Sequence, residues 1–137
     1  MSYILHLKLP CNFVFAILRV WCHIQVATSL ACLGTCLHCL EKYSAAEALH
    51  MRCLDIRERA LGTLAPETAT AACNLAAVYM VQKKYDKAEL LLEQAVEGRQ
   101  LSAADFVRRG SAASKADKAL LKEAKRALAK CQAAMEI

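Results

Sequence analysis

Apolar residues recur at intervals of three and four from Val26 through Leu30, Leu33 and Leu37, the spacing that lines one face of an α-helix. Lys42-Tyr43 closes that run, and a second amphipathic stretch follows through Ala46, Leu49, Cys53, Ile56 and Leu61. Gly62 suits the residue just past a helix end and Pro66 the first position of the next helix, with Glu67 at the favourable end of its dipole. The same order then returns, with Ala69 to Gln82 as a first helix and Asp86 to Arg99 as a second. Shifted by 42 residues, Ala27-Thr28 falls on Ala69-Thr70, Leu33 on Leu75, Lys42-Tyr43 on Lys84-Tyr85, Ala46-Glu47 on Ala88-Glu89 and Arg57 on Arg99. A period of this size signals stacked helical units, each unable to bury its apolar face alone. The small residues Gly34, Ala46, Ala76, Ala88 and Ala95 let paired antiparallel helices approach closely.

The flanks read differently. Met1 to Cys22 is apolar but poorly patterned, and the run from Phe13 to Trp21, interrupted by Arg19, is shorter than the roughly 20 residues that cross a bilayer. It is expected to cover the first repeat as a lid, or to support self-association, and a membrane is not the expected partner; the alternative is a membrane-associated repeat protein in which residues 11–24 sit in the bilayer and the repeats face the cytosol. After Arg99 the register fails. Ser102-Ala103-Ala104-Asp105 suggests a short helical turn, Gly110 to Ser114 a linker, and Ser114-Lys115-Ala116-Asp117 the mouth of a helix that runs to Met135. Leu120, Leu121, Ala124, Leu128 and Cys131 on one side and lysines on the other suit a helix that caps an open stack. The expected division is an unassigned apolar segment at 1–22, two repeats over 23–100 (about 25–66 and 67–100), and a linker with a basic capping helix over 101–137. The fold class is all-α, a short two-repeat α-solenoid.

Composition supports the helices and narrows the chemistry. Four Gly and two Pro in 137 residues disfavour a turn-rich β fold. The net charge of +5 comes mainly from residues beyond 100, a local basic patch rather than a field over the whole surface. Cys32, Cys36, Cys53 and Cys73 fall on apolar helical positions, so reduced core thiols and a cytoplasmic location are expected rather than a disulfide framework. Cys32, Cys36, His38 and Cys39 are dense, but no second ligand pair stands at zinc-site spacing, so no metal and no cofactor are expected. His50 and Cys53 could form a nucleophile and base, yet both sit on a packing face, and no phosphate loop is present. The chain is not expected to be an enzyme. Phe106 is the one aromatic residue among the C-terminal lysines, so nucleic acid is not expected as a partner. Arg108-Arg109-Gly110-Ser111 resembles a basophilic kinase site, which makes Ser111 a candidate phosphosite.

With Ala27 as the first position, Leu30, Leu33, Gly34, Leu37, Ala46 and Cys53 follow the large, large, small, large, small, small pattern of tetratricopeptide repeats. Ala72, Leu75, Ala76, Tyr79, Ala88 and Ala95 hold the same places in the second copy, while His50 stands where a large apolar residue is usual. The period exceeds the common form of about 34 residues. Together with Asp55-Ile56-Arg57-Glu58-Arg59-Ala60-Leu61-Gly62 and Asn74-Leu75-Ala76-Ala77-Val78-Tyr79, it resembles the repeats of kinesin light chains and nephrocystin-type arrays. The resemblance implies an adaptor whose first helices line a concave groove for a peptide or another repeat protein. By position the groove would display Thr28, Ala31, Cys32, Thr35 and His38 from one copy, and Thr70, Cys73, Asn74, Ala77 and Met80 from the other. Asn74 matches a family asparagine that bonds peptide backbone.

Overall fold

The structure is a computed structural model that describes residues 11–110 and 115–136. Five helices follow one another: α1 (Cys11–Cys39), α2 (Tyr43–Leu61), α3 (Pro66–Val81), α4 (Tyr85–Arg108) and α5 (Lys115–Met135). Each packs chiefly on its neighbour in the chain, so the array is two hairpins, α1–α2 and α3–α4, with α5 laid on the open side of α4. The candidate phosphosite Ser111 lies outside the described residues.

The hairpins close because their contact faces are almost bare of side chain. Ala27, Ala46, Ala69, Ala71, Ala72, Ala76, Ala88 and Ala95 are all essentially inaccessible, and Leu75, Tyr79 and Leu92 fill the space around them. Such close approach makes van der Waals contact dense and leaves little tolerance for added volume.

The internal repeat is as plain in the turns as in the helices. At the end of α1 the Lys42 N–H donates to Leu37 O at 2.9 Å and Glu41 N–H to His38 O at 3.0 Å, with Glu41 at φ 60°. At the end of α3 the Lys84 N–H donates to Tyr79 O at 2.8 Å and Lys83 N–H to Met80 O at 3.1 Å, with Lys83 at φ 61°. This paired bonding satisfies the last helix carbonyls and needs one left-handed residue, a place glycine usually takes. Here a Glu and a Lys take it, at a conformational cost of about 1 kcal/mol. Lys83→Gly is therefore expected to stabilise the chain by roughly 0.5 kcal/mol, read as a higher urea midpoint with unchanged slope.

Between the hairpins the chain turns at Gly62, φ 93°, and enters α3 at Pro66, with the Thr68 hydroxyl donating to Gly62 O at 2.8 Å. Arg57 reaches from α2 to Glu67 O at 3.0 Å, and the Gln94 amide on α4 donates to Glu58 at 3.1 Å and to Thr63 O at 3.2 Å. Gly98 lies against the backbone of Leu64, where an added Cβ would stand 2.9 Å from a carbonyl oxygen. These contacts set the second hairpin on the first.

Three expectations need correction. Residues 11–22 are not a lid: they continue α1, which extends beyond its partner because α2 reaches back only as far as Val20 and His23, beside Ile56, Arg59 and Ala60. The second helix of the second repeat does not stop at Arg99 but runs to Arg108, where Asp105 meets Arg108 at 2.6 Å and Arg109 at 2.8 Å. Cys32 and Cys36 are not core thiols. Both are exposed, with Leu33 between them 53% exposed, because they lie on a side of α1 that no other helix covers among the described residues.

Val14–Cys39 is long and apolar enough to cross a membrane by length and composition. Its second half, however, is packed along α2, whose exposed Arg52, Asp55 and Arg59 would have to enter the hydrocarbon with it. The packing therefore opposes a full span.

Candidate peptide cleft

The first turn of α3 starts at Pro66, and from there one face of the helix presents Thr70, Cys73, Asn74, Ala77 and Met80. All five line one cleft of about 300 Å³. The opposite wall is α5, through Leu120, Glu123, Ala124 and Ala127, and the floor is formed by Leu92 and Arg99 of α4. Helix α5 is held there because Ala124 and Cys131 are buried against α4, the Cys131 thiol donating to Tyr85 O at 3.2 Å and the Gln132 amide to Glu89 at 3.1 Å. The capping helix thus supplies half of the cleft as well as closing the stack.

Arg99 is 8% exposed and donates to the Thr70 hydroxyl at 3.0 Å. The Thr70 hydroxyl in turn donates to Pro66 O at 3.2 Å. Burial pushes the Cys73 thiol up, against the opposing pull of the Arg99 guanidinium, and Glu123 adds to the rise. Cys73 is accordingly a neutral packing group at neutral pH, not an activated thiolate. The Asn74 amide is half-buried in the cleft and, among the described residues, no group bonds it.

The first copy is placed elsewhere. Thr28, Cys32 and Thr35 are exposed along α1 and Ala31 and His38 half-buried, and none of the five lines the cleft. The Thr28 and Thr35 hydroxyls are already spent on their own helix, donating to Ile24 O at 3.0 Å and Ala31 O at 2.9 Å. The expected groove therefore divides: the second-copy residues converge, and their facing wall is α5 rather than α1. Arg99, Leu120, Glu123 and Ala127 were not among the expected site residues. The signals that point to them are the Arg57–Arg99 repeat on an otherwise apolar face and the three-four spacing of Leu120, Ala124 and Ala127.

His50 and Cys53 are both buried, and their environments oppose catalysis. Burial pushes the Cys53 thiol up, the reverse of what a nucleophile needs, with Arg57 opposing only in part. Burial also lowers the His50 pKa from the ordinary 6.5, with His38 adding to the fall and a bond to the Gly34 backbone working against it. A histidine kept neutral in the fold takes up a proton more readily once unfolded. Stability is thus intact above a pH of about 6.5 and declines as pH falls below it, levelling off under the folded pKa. The urea midpoint is expected to drop between pH about 7.5 and about 5.5, and to drop less in His50→Leu. Among the described residues no three His, Cys, Asp or Glu side chains converge on a metal-sized site.

The helices and cleft define a short α-helical repeat array with a concave pocket between α3 and α5. A family model of the tetratricopeptide repeat matches residues 25–100, more than half of the chain, and the protein belongs to that family. A search of curated proteins finds no match.

Proposed function

We propose that this protein is a non-catalytic adaptor that holds an extended segment of a partner protein in the cleft between α3 and α5. Tetratricopeptide repeats are in general protein-interaction modules. One observation carries the reading here: Thr70, Cys73, Asn74, Ala77 and Met80 converge on one cleft in which the Asn74 amide has no bond among the described residues. A free side-chain amide can pair with a peptide unit, donor to carbonyl and acceptor to N–H, while Met80, Leu92, Leu120 and Ala127 offer apolar contact. Arg99 on the floor and Glu123 on the α5 wall carry opposite signs, so the cleft favours a segment with little net charge. The exposed free thiols of Cys22, Cys32, Cys36 and Cys39 suit a reducing compartment, which makes the cytoplasm the proposed location.

The test is peptide display against the whole chain. For a selected peptide, Asn74→Ala and Leu120→Lys are each expected to weaken binding by about tenfold, with helicity retained and Thr28→Ala without effect. Unchanged affinity in both cleft variants rejects the cleft as the site.

A further inference from the structure

Two exposed stripes of opposite charge, one on α4 and one on α5, take no part in the cleft. On α4, Asp86, Leu90 and Glu93 face solvent on the side away from the buried Ala88, Leu92 and Ala95, and Leu90 is 68% exposed. On α5, the side away from the buried Ala124 and Cys131 holds an open hollow of about 490 Å³ in which Lys118, Lys122, Lys125 and Arg126 surround Leu121. Among the described residues none of these acids or cations has an ion pair. Lys118, Lys122 and Arg126 follow one another at steps of four, where like charges on a helix repel, and an acidic surface laid on them relieves that repulsion. The lysines near Asp86 leave the α4 stripe acidic, because Lys84 and Lys87 are turned over the Tyr79 ring, 5.6 and 5.7 Å from its centre.

We propose that the α4 stripe of one copy of this chain docks antiparallel on the α5 hollow of a second copy, a head-to-tail contact. One register satisfies charge and apolar contact together. With Leu90 beside Leu121 of the second copy, Asp86 stands beside Lys125 and Glu93 beside Lys118, because the steps of four and then three along α4 are met by the same steps read backwards along α5. That register also carries Glu97 to the start of α5, the end of a helix that favours an acid. A parallel pairing that keeps both ion pairs sets Leu90 on Lys122 instead. Leu90 entering the hollow supplies the apolar contact, and the charges fix orientation and register. The occupant is this chain because one molecule carries both halves, matched at three successive positions. The contact is heterologous, so each copy keeps one stripe free and copies add in series. The hollow shares no lining residue with the peptide cleft, and both can be filled at once.

Sedimentation velocity on the full chain under reducing conditions reads the outcome. The average mass of the wild type is expected to rise with concentration above the 15.0 kDa of one chain, and less so at high salt. Leu90→Lys is expected to raise the dissociation constant by about thirtyfold with circular dichroism unchanged, since Leu90 faces solvent in the single chain. Glu93→Lys and Lys118→Glu are each expected to weaken the contact by about threefold to tenfold, and the double variant to return within about twofold of wild type. Mixing tests the head-to-tail arrangement. The Leu90→Lys chain keeps its hollow and a chain with Lys118→Glu and Lys125→Glu keeps its α4 stripe, so each alone is expected as a single copy and the mixture as pairs that grow no further. A wild type that stays a single copy at every soluble concentration overturns the proposal. So does association that survives Leu90→Lys, a charge swap that restores nothing, or a mixture that does not pair.

Discussion

Shortening Leu92 to alanine is expected to cost about 2–5 kcal/mol, the largest loss for any single truncation in this chain. Leu92 is the bulkiest of the fully buried side chains, 1% exposed, and it stands among alanines that cannot move in to fill its place. Helices already in contact through Ala72, Ala76, Ala88 and Ala95 are held apart by their backbones, so the cavity left by the missing atoms stays open. A stack of two hairpins is short for a solenoid, and a loss of this size approaches its whole stability. The measurement is urea unfolding by circular dichroism. A midpoint near that of the wild type would mean that the second hairpin is not packed as described. The effect also reaches function, because Leu92 floors the cleft, and Leu92→Ala should weaken a bound peptide even where the fold persists.

Gly34→Ala is the second large effect, expected at about 1–3 kcal/mol. A Cβ on Gly34 would stand 2.8 Å from Cε1 and Nε2 of His50, whose ring is 2% exposed and has no free space to swing into. The two residues are one solution. The family pattern wants a large apolar residue where His50 stands, and an imidazole fits because Gly34 opposite carries no side chain. Removing the ring should therefore remove the clash. His50→Ala alone is destabilising, but Gly34→Ala added to it should cost less than about 0.5 kcal/mol, and the double-mutant cycle measures the coupling directly. Additive costs would separate the two residues.

Much of the fold was legible because the same residues recur under the same constraint. Lys42-Tyr43 and Lys84-Tyr85 mark one turn built twice, down to the left-handed residue before each lysine. Gly34, Ala46, Ala76, Ala88 and Ala95 mark the close faces, and all five are buried. The comparison of one copy with the other goes silent, however, where only one copy continues. Helix α4 runs on to Arg108 because α5 needs a partner of its own length, which brings Cys131 back to Tyr85, and nothing in the first copy foreshadows that. Cys32 and Cys36 are exposed for the converse reason: helical periodicity ranks faces, but a face is buried only where a neighbour covers it, and among the described residues none covers that side of α1. The cleft was half legible. Its α3 wall followed from position within the repeat, whereas its α5 wall depends on how the last helix docks, a tertiary fact that no local pattern contains.

Binding in the cleft requires that α3 and α5 face one another across a space that takes a peptide. Backbone amide shifts of isotope-labelled protein, followed while a display-selected peptide is added, test this most directly. The expected result is a cluster of moving signals at Thr70, Asn74 and Ala77 on one wall and at Leu120, Glu123 and Ala127 on the other. Shifts confined to α1 or to the outer side of α2, with those six signals still, would contradict it.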